Sequence, residues 1–314
     1  MFNVESRTIM YVRHGSHAYG LNIPTSDVDY KGICIPPKAC YFGFTQRFEQ
    51  HESMQSSKGG DDCVVYALSK FASLASECNP NIMEILHVSD SDIVNMDEFG
   101  EALRSIKDQF VSKKAKHTFS GYAHAQLKRI KTHRAWLLNP PSSKPERKDF
   151  GLNDQTSLNA SELGAIEAIE QGGKADTLPQ NVMSLFRKEM DYKAAKTHFD
   201  QYVSWTKSRN PARAELESKF SYDVKHAMHL LRLMRMCVEI LETGKVNVKR
   251  HDRDELLKVR FGERSYDSLI EEAEALEAKS ELLYKTSSLR NTCDKAAIDT
   301  FIIDLTDRYI KKHG

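Results

Sequence analysis

The 314-residue chain is 40% hydrophobic and 28% charged, with a formal net charge of +1 at pH 7. That mix excludes a disordered chain and leaves room for one large domain or two ordinary ones; with charge so balanced, any basic surface must be local. The six cysteines (Cys34, Cys40, Cys63, Cys78, Cys237, Cys293) form no CxxC pair, the N-terminus shows no signal peptide, and no run approaches the roughly 18 apolar residues of a membrane span, so a cytoplasmic protein with reduced thiols is expected.

Taken in chain order, Thr8 to Arg13 is a β-branched, apolar strand that breaks at Gly15. Tyr30 to Ile35 is a second strand, stopped by Pro36-Pro37. A third is short, Cys63 to Tyr66. Leu68 to Glu77 has helical apolar spacing and ends at Asn79-Pro80, after which Ile82-Met83 and Ile85-Leu86 begin another apolar turn. From there helical periodicity dominates, with helices expected near 97–114, 116–137, 182–207, 222–243, 265–285 and 294–312 and a proline-rich loop at Asn139–Pro145. The expected architecture is α+β: a small mixed-sheet module over residues 1–95, then a largely α-helical region over 96–314 that completes a cleft.

The chemistry gathers at the first two strands. Asp27 and Asp29 are two residues apart, so on an extended strand both carboxylates share one face. Carboxylates held side by side repel unless a cation sits between them, which suits Mg²⁺ (or Mn²⁺), a hard ion that takes oxygen ligands. Upstream, Gly15-Ser16 follows a strand, where a glycine lets backbone N–H groups and a hydroxyl approach phosphate oxygens. A lone DxD is common by chance; the arrangement of strand, Gly-Ser, a ten-residue gap and DxD entering a second strand is not. It points to in-line attack of an acceptor on the α-phosphate of a nucleoside triphosphate, with two metals about 3.5–4 Å apart stabilising the attacking and leaving oxygens.

The stretch GSHAYGLNIPTSDVDYKGICIPP resembles the opening motif of the DNA polymerase beta nucleotidyltransferase superfamily, and within it the phage and bacterial nucleotidyltransferases associated with RNA repair. NPNIMEILHV, GYAHAQLKRI, RNPARAELESKFSYDVKHAMHLLRL and ETGKVNVKRHDRDELLKVRFG look like the same family, so the resemblance runs from about residue 8 to about residue 290. It implies a third carboxylate on the neighbouring strand, Asp62 with Asp61 as fallback, that completes the metal site, and an RNA end such as a tRNA as acceptor.

In the helical part, Lys225, His229 and Arg232 fall at i, i+4 and i+7 on one helix face, flanked by His226 and Arg235. If the helical region folds over the αβ module, this face meets the triphosphate opposite the metal site; the alternative is a charged face packed on acidic neighbours. Asp223, Lys225 and His229 are the preferred trio, and Ser221 stands where related proteins carry Gly. Weaker candidates each have two readings. His17 and Tyr19 touch base or ribose, or cap their loop; Lys31 neutralises a phosphate or pairs with the carboxylates. Glu84 is structural or touches the acceptor, Gln126 and Arg129 line an acceptor groove or a solvated face, and the run Lys245 to His251 after the helix-capping Gly244 contacts nucleic-acid phosphates.

Nucleotidyl transfer to an acceptor hydroxyl is the leading expectation. Transfer to a protein or small molecule, and a non-catalytic nucleotide sensor or RNA-binding module, stay open. The absence of an HExxH spacing argues against a zinc hydrolase. No base-reading motif selects the nucleotide, and neither the acceptor nor the oligomeric state is fixed by the sequence.

Overall fold

A computed structural model describes residues 2–54, 62–155, 180–209 and 211–314. Five strands, β1 (Thr8–His14), β2 (Asp29–Cys34), β3 (Gln50–Met54), β4 (Asp62–Ala67) and β5 (Ile93–Met96), form one mixed sheet in the order β3-β4-β2-β1-β5. β1 runs antiparallel to β2 and β5, β2 parallel to β4, and β3 antiparallel to β4. The apolar residues read in the sequence fix the centre: Ile9, Met10, Val12 and Ile33 are fully buried. The two strands without a sequence signal are the edges. β3 reads QHESM, and β5 leaves Val94 half-exposed.

Among the described residues the helices are α1 (Gly15–Tyr19), α2 (Lys38–Phe42), α3 (Leu68–Ser76), α4 (Pro80–His87), α5 (Glu98–Ser105), α6 (Ala115–Leu138), α7 (Gln180–Ser208), α8 (Pro211–Phe220), α9 (Val224–Thr243), α10 (Arg253–Arg260), α11 (Tyr266–Thr286) and α12 (Lys295–His313). The Asn79-Pro80 pair that ends α3 also starts α4: Asn79 Oδ1 accepts from the Asn81 N–H at 3.1 Å, and Pro80 takes the first helical position, where its missing donor costs nothing. The helix expected near 97–114 is instead α5 followed by a 3₁₀ turn, Lys107–Phe110. The break after Ser105 buries Ile106 and Phe110, and Phe110 packs edge-on against Phe71 of α3, 6.3 Å between ring centres.

By packing, the chain forms two compact units, residues 1–131 with 222–314, and residues 132–221. Residue 95 therefore marks the last strand rather than a boundary of packing. The C-terminal helices belong to the sheet's own unit: α12 packs on α3, the Cys293 thiol donates to the Ser76 carbonyl, and Tyr309 packs edge-on against Phe99 of α5. In the same unit, α9 runs along α10 and α11. The second unit has its own aromatic cluster, in which Trp136 Nε1 donates to His198 Nε2 at 2.7 Å and Trp205 lies 5.2 Å from Trp136. No helix among the described residues is long and apolar enough to cross a membrane.

Candidate active site

The strand register assembles the carboxylates. β2 and β4 are parallel with Tyr30 opposite Cys63, so Asp29 and Asp62, each the first residue of its strand, stand side by side at one end of the sheet. Asp27 lies just upstream in the approach to β2. Asp27 and Asp62 are exposed and Asp29 is half-buried. The Asp29 carboxyl titrates above its ordinary range: burial raises it most, then the charges of Asp27 and Asp62, while Lys31 and Lys225 pull the other way. The three carboxylates thus feel one another, and this all-oxygen donor set suits a hard divalent cation. Asp61, the alternative third carboxylate, lies outside the described residues.

Gly15 is held against this cluster. His14, the last residue of β1, pairs with Asp29, and Gly15 then turns with φ 59°, in the left-handed region. A Cβ at Gly15 would sit 1.8 Å from Asp29 Oδ2. Only glycine fits, because it must both adopt that backbone and leave the space to the carboxylate. The following Ser16 Oγ and the His17 Nε2 are buried and have no hydrogen-bond partner among the described residues. A buried polar atom without a partner is costly, so a hydroxyl left open one residue from the glycine fits an oxygen-rich ligand.

Behind the turn lies a buried ionic knot centred on Glu84, which is 0% exposed. Its carboxylate accepts from Tyr19 Oη at 2.6 Å and from Arg232 Nη1 at 2.5 Å, and His14 Nε2 lies 3.3 Å away. The Arg232 guanidinium also stacks over the Tyr19 ring at 3.8 Å. Burial alone would raise the Glu84 carboxyl; the Arg232 charge and the His14 and Tyr19 contacts outweigh it and hold it far below the ordinary range. The same burial pushes the Tyr19 hydroxyl well up.

These contacts revise several expectations. Tyr19 and Arg232 do not face an open nucleotide site: both are buried and committed to Glu84, which is itself structural. The trio in α9 divides in the same way. Asp223 is the helix cap, its Oδ1 accepting from the His226 N–H at 3.0 Å. Lys225 acts on the carboxylates through its charge, which opposes the upward shift of Asp29. His229 lies between them, pushed down to about 3 by burial and then by the charges of Arg232, Lys225, His226 and Arg260.

Arg260, at the end of α10, had no signal in the sequence. It joins the cluster only because α10 folds back along α9. Lys31 donates to the Asn81 carbonyl at 3.1 Å, and burial lowers its ammonium to about 8 against the opposing pull of Glu84 and Asp29. Ser221, read as a change of backbone geometry, sits at φ 64°, so the serine takes up the left-handed conformation that glycine adopts easily.

Residues 3–138 match the family described as RlaP, the RNA repair pathway DNA polymerase beta family. The chain is also similar to an uncharacterized 38.9 kDa protein of the nrdC-mobD intergenic region of Enterobacteria phage T4, 27% identical over 127 residues, which is 38% of this chain and 38% of that one. No solved structure matches. The family match takes in Gly15, Ser16, Asp27, Asp29, Asp62 and Glu84, and it stops before the later blocks that look family-like, so α9 and its cations lie beyond it. Over residues 3–138, less than half of its length, the chain is similar to the polymerase beta-like family associated with RNA repair.

Proposed function

We propose that the protein transfers a nucleotidyl group from a nucleoside triphosphate, with Mg²⁺ or Mn²⁺, to the hydroxyl of an RNA end. The observation that carries this reading is the seating of Asp29 against Gly15, with Asp62 beside it and Asp27 just upstream. A site that crowds carboxylates together and clears a glycine beside them is arranged for a cation and a phosphate chain rather than for its own stability.

In this reading Asp27, Asp29 and Asp62 hold the metal, which when bound neutralises charge on the phosphates and on the attacking and leaving oxygens. The Gly15-Ser16 turn seats the phosphate chain, and the buried, unpaired Ser16 hydroxyl turns toward it to donate to a phosphate oxygen. Lys225 and Arg260 supply cations from the helical side, and His229, kept neutral by burial and then by the neighbouring cations, is a hydrogen-bond donor there. The acceptor oxygen bonds to the α-phosphorus, the bond to the bridging oxygen breaks, pyrophosphate leaves, and the acceptor proton passes to Asp62, one of the two exposed carboxylates of the set.

The test is to incubate the protein with each α-labelled nucleoside triphosphate, Mg²⁺ and total RNA. Label should enter RNA, and Asp27→Ala should reduce incorporation by at least about a hundredfold, the scale of losing an electrostatic group that acts in the transition state. Equal labelling by Asp27→Ala removes the proposed metal site. Label on the protein itself instead of RNA replaces the acceptor while keeping the chemistry.

A further inference from the structure

The region after α9 is placed by the fold in a way that the chemistry above does not use. Gly244 caps the helix at φ 71°, and the chain then runs through Lys245, Val246, Asn247, Val248 and Lys249 with strict alternation. Val246 and Val248 are buried, so Lys245, Asn247 and Lys249 all face outward. Together with Lys107, from the 3₁₀ turn after α5, and His87, from the end of α4, they line a depression of about 410 Å³. One carboxylate, Asp108, also lines it.

Two features distinguish this from an ordinary solvated lysine face. The three lysines form no ion pair with a described carboxylate, while neighbouring Lys279 and Arg250 are taken by Glu242 and Glu239. His87 also keeps a buried Nε2 without a partner, in a ring held neutral by its burial and by Lys107.

The depression is also tied to the catalytic turn. The Arg250 N–H donates to the Tyr19 carbonyl at 3.0 Å, Arg253 Nε donates to the Gly20 carbonyl at 2.5 Å, and Lys249 Cγ lies 3.9 Å from where a Cβ on Gly20 would be. The lysine row therefore ends beside α1, the helix that begins with Gly15 and Ser16.

We infer that Lys107, Lys245 and Lys249 form a binding site for the phosphodiester backbone of a single-stranded RNA acceptor, separate from the triphosphate site and leading toward it. A protein whose net charge is +1 has no global field to hold a polyanion, so attraction must come from a local row of cations such as this one. Lysines suit a partner read by charge rather than by sequence, since each offers a mobile point charge instead of a fixed fork. The inference rests on an RNA acceptor, as proposed above, but on different residues.

The experiment titrates a fluorescently labelled single-stranded RNA oligonucleotide with the full-length protein at several salt concentrations. It compares wild type with the Lys107→Gln, Lys245→Gln, Lys249→Gln triple variant and with Asp27→Ala. Three lost phosphate contacts should make the slope of log affinity against log salt shallower by about 2. Over a fourfold rise in salt, wild type then loses about 16-fold more affinity than the variant. Triphosphate binding and melting temperature should be unchanged in the triple variant, because these side chains are on the surface. An unchanged salt slope overturns the site, as does a wild type that transfers nucleotide yet binds no RNA. If the slope falls as expected while Asp27→Ala keeps full transfer activity, the RNA site stands and the catalytic reading fails.

Discussion

At the scale of single residues, the contact between Gly15 and Asp29 is the narrowest tolerance in the protein. Alanine at Gly15 meets two penalties at once, a left-handed backbone costing roughly 1–2 kcal/mol and a methyl carbon driven into the Asp29 carboxylate. The carboxylate has to move, because the glycine is pinned by the His14–Asp29 pairing on one side and by α1 on the other. Gly15→Ala is therefore expected to fold with a modest loss of stability and to lose at least about a hundredfold in nucleotidyl transfer, as misplaced catalytic groups do. Parallel melting and labelling measurements check this; wild-type turnover in a folded Gly15→Ala protein would show that the contact is incidental. The glycine and the aspartates could be read in the sequence, because both their types and their spacing are local. Their contact could not, since it depends on how β1 and β2 pair.

At the scale of elements, Glu84 joins three separate pieces of chain. His14 ends β1, Tyr19 closes α1, and Arg232 lies midway along α9, so one carboxylate ties both ends of the Gly15-Ser16 turn to the helix that carries Lys225 and His229. Such a knot is costly to break and not very costly to replace. Removing one partner leaves a buried charge uncompensated, whereas removing both leaves an apolar gap. Glu84→Gln should thus cost about 3 kcal/mol, and pairing it with Arg232→Met should recover much of that loss. Denaturant melts of the two singles and the double give the coupling, and strictly additive losses would mean that the two side chains do not act as a pair.

The elements themselves were largely legible. β1, β2, β4 and the long helices from α6 to α12 are expected from periodicity alone, apart from α8 and α10. What escaped was polar, short or dependent on partners. β3 is an edge strand with no apolar run, β5 is an edge strand of only four residues, α8 carries few apolar residues, and α10 is only eight residues long. The face of α9 misled for a related reason. Helical spacing puts Lys225, His229 and Arg232 on one side, but it cannot tell which end of that side meets the carboxylates and which is buried against Glu84.

At the scale of the whole molecule, the balanced charge hides an asymmetry in how imidazoles are held. His229 and His87 are both pushed down to about 3, chiefly by burial and then by neighbouring cations, and His14 is lowered in the same direction by burial and Lys31. In the unfolded chain each returns to about 6.5. Below that pH the unfolded state binds protons that the folded state refuses, so stability is full above about pH 6.5 and falls as pH drops toward the folded values. The slope is at most about 1.4 kcal/mol per pH unit for each histidine, which two such groups make visible well before the carboxylates titrate. Wild type should therefore melt several degrees lower at pH 5.5 than at pH 7.5, and a His87→Gln, His229→Gln variant should show a flatter profile over that interval. A wild-type melting temperature that stays level down to pH 5 would mean that these imidazoles are more open to protonation than their packing implies. The basic surroundings of His229 would then have to be looser than a triphosphate site requires.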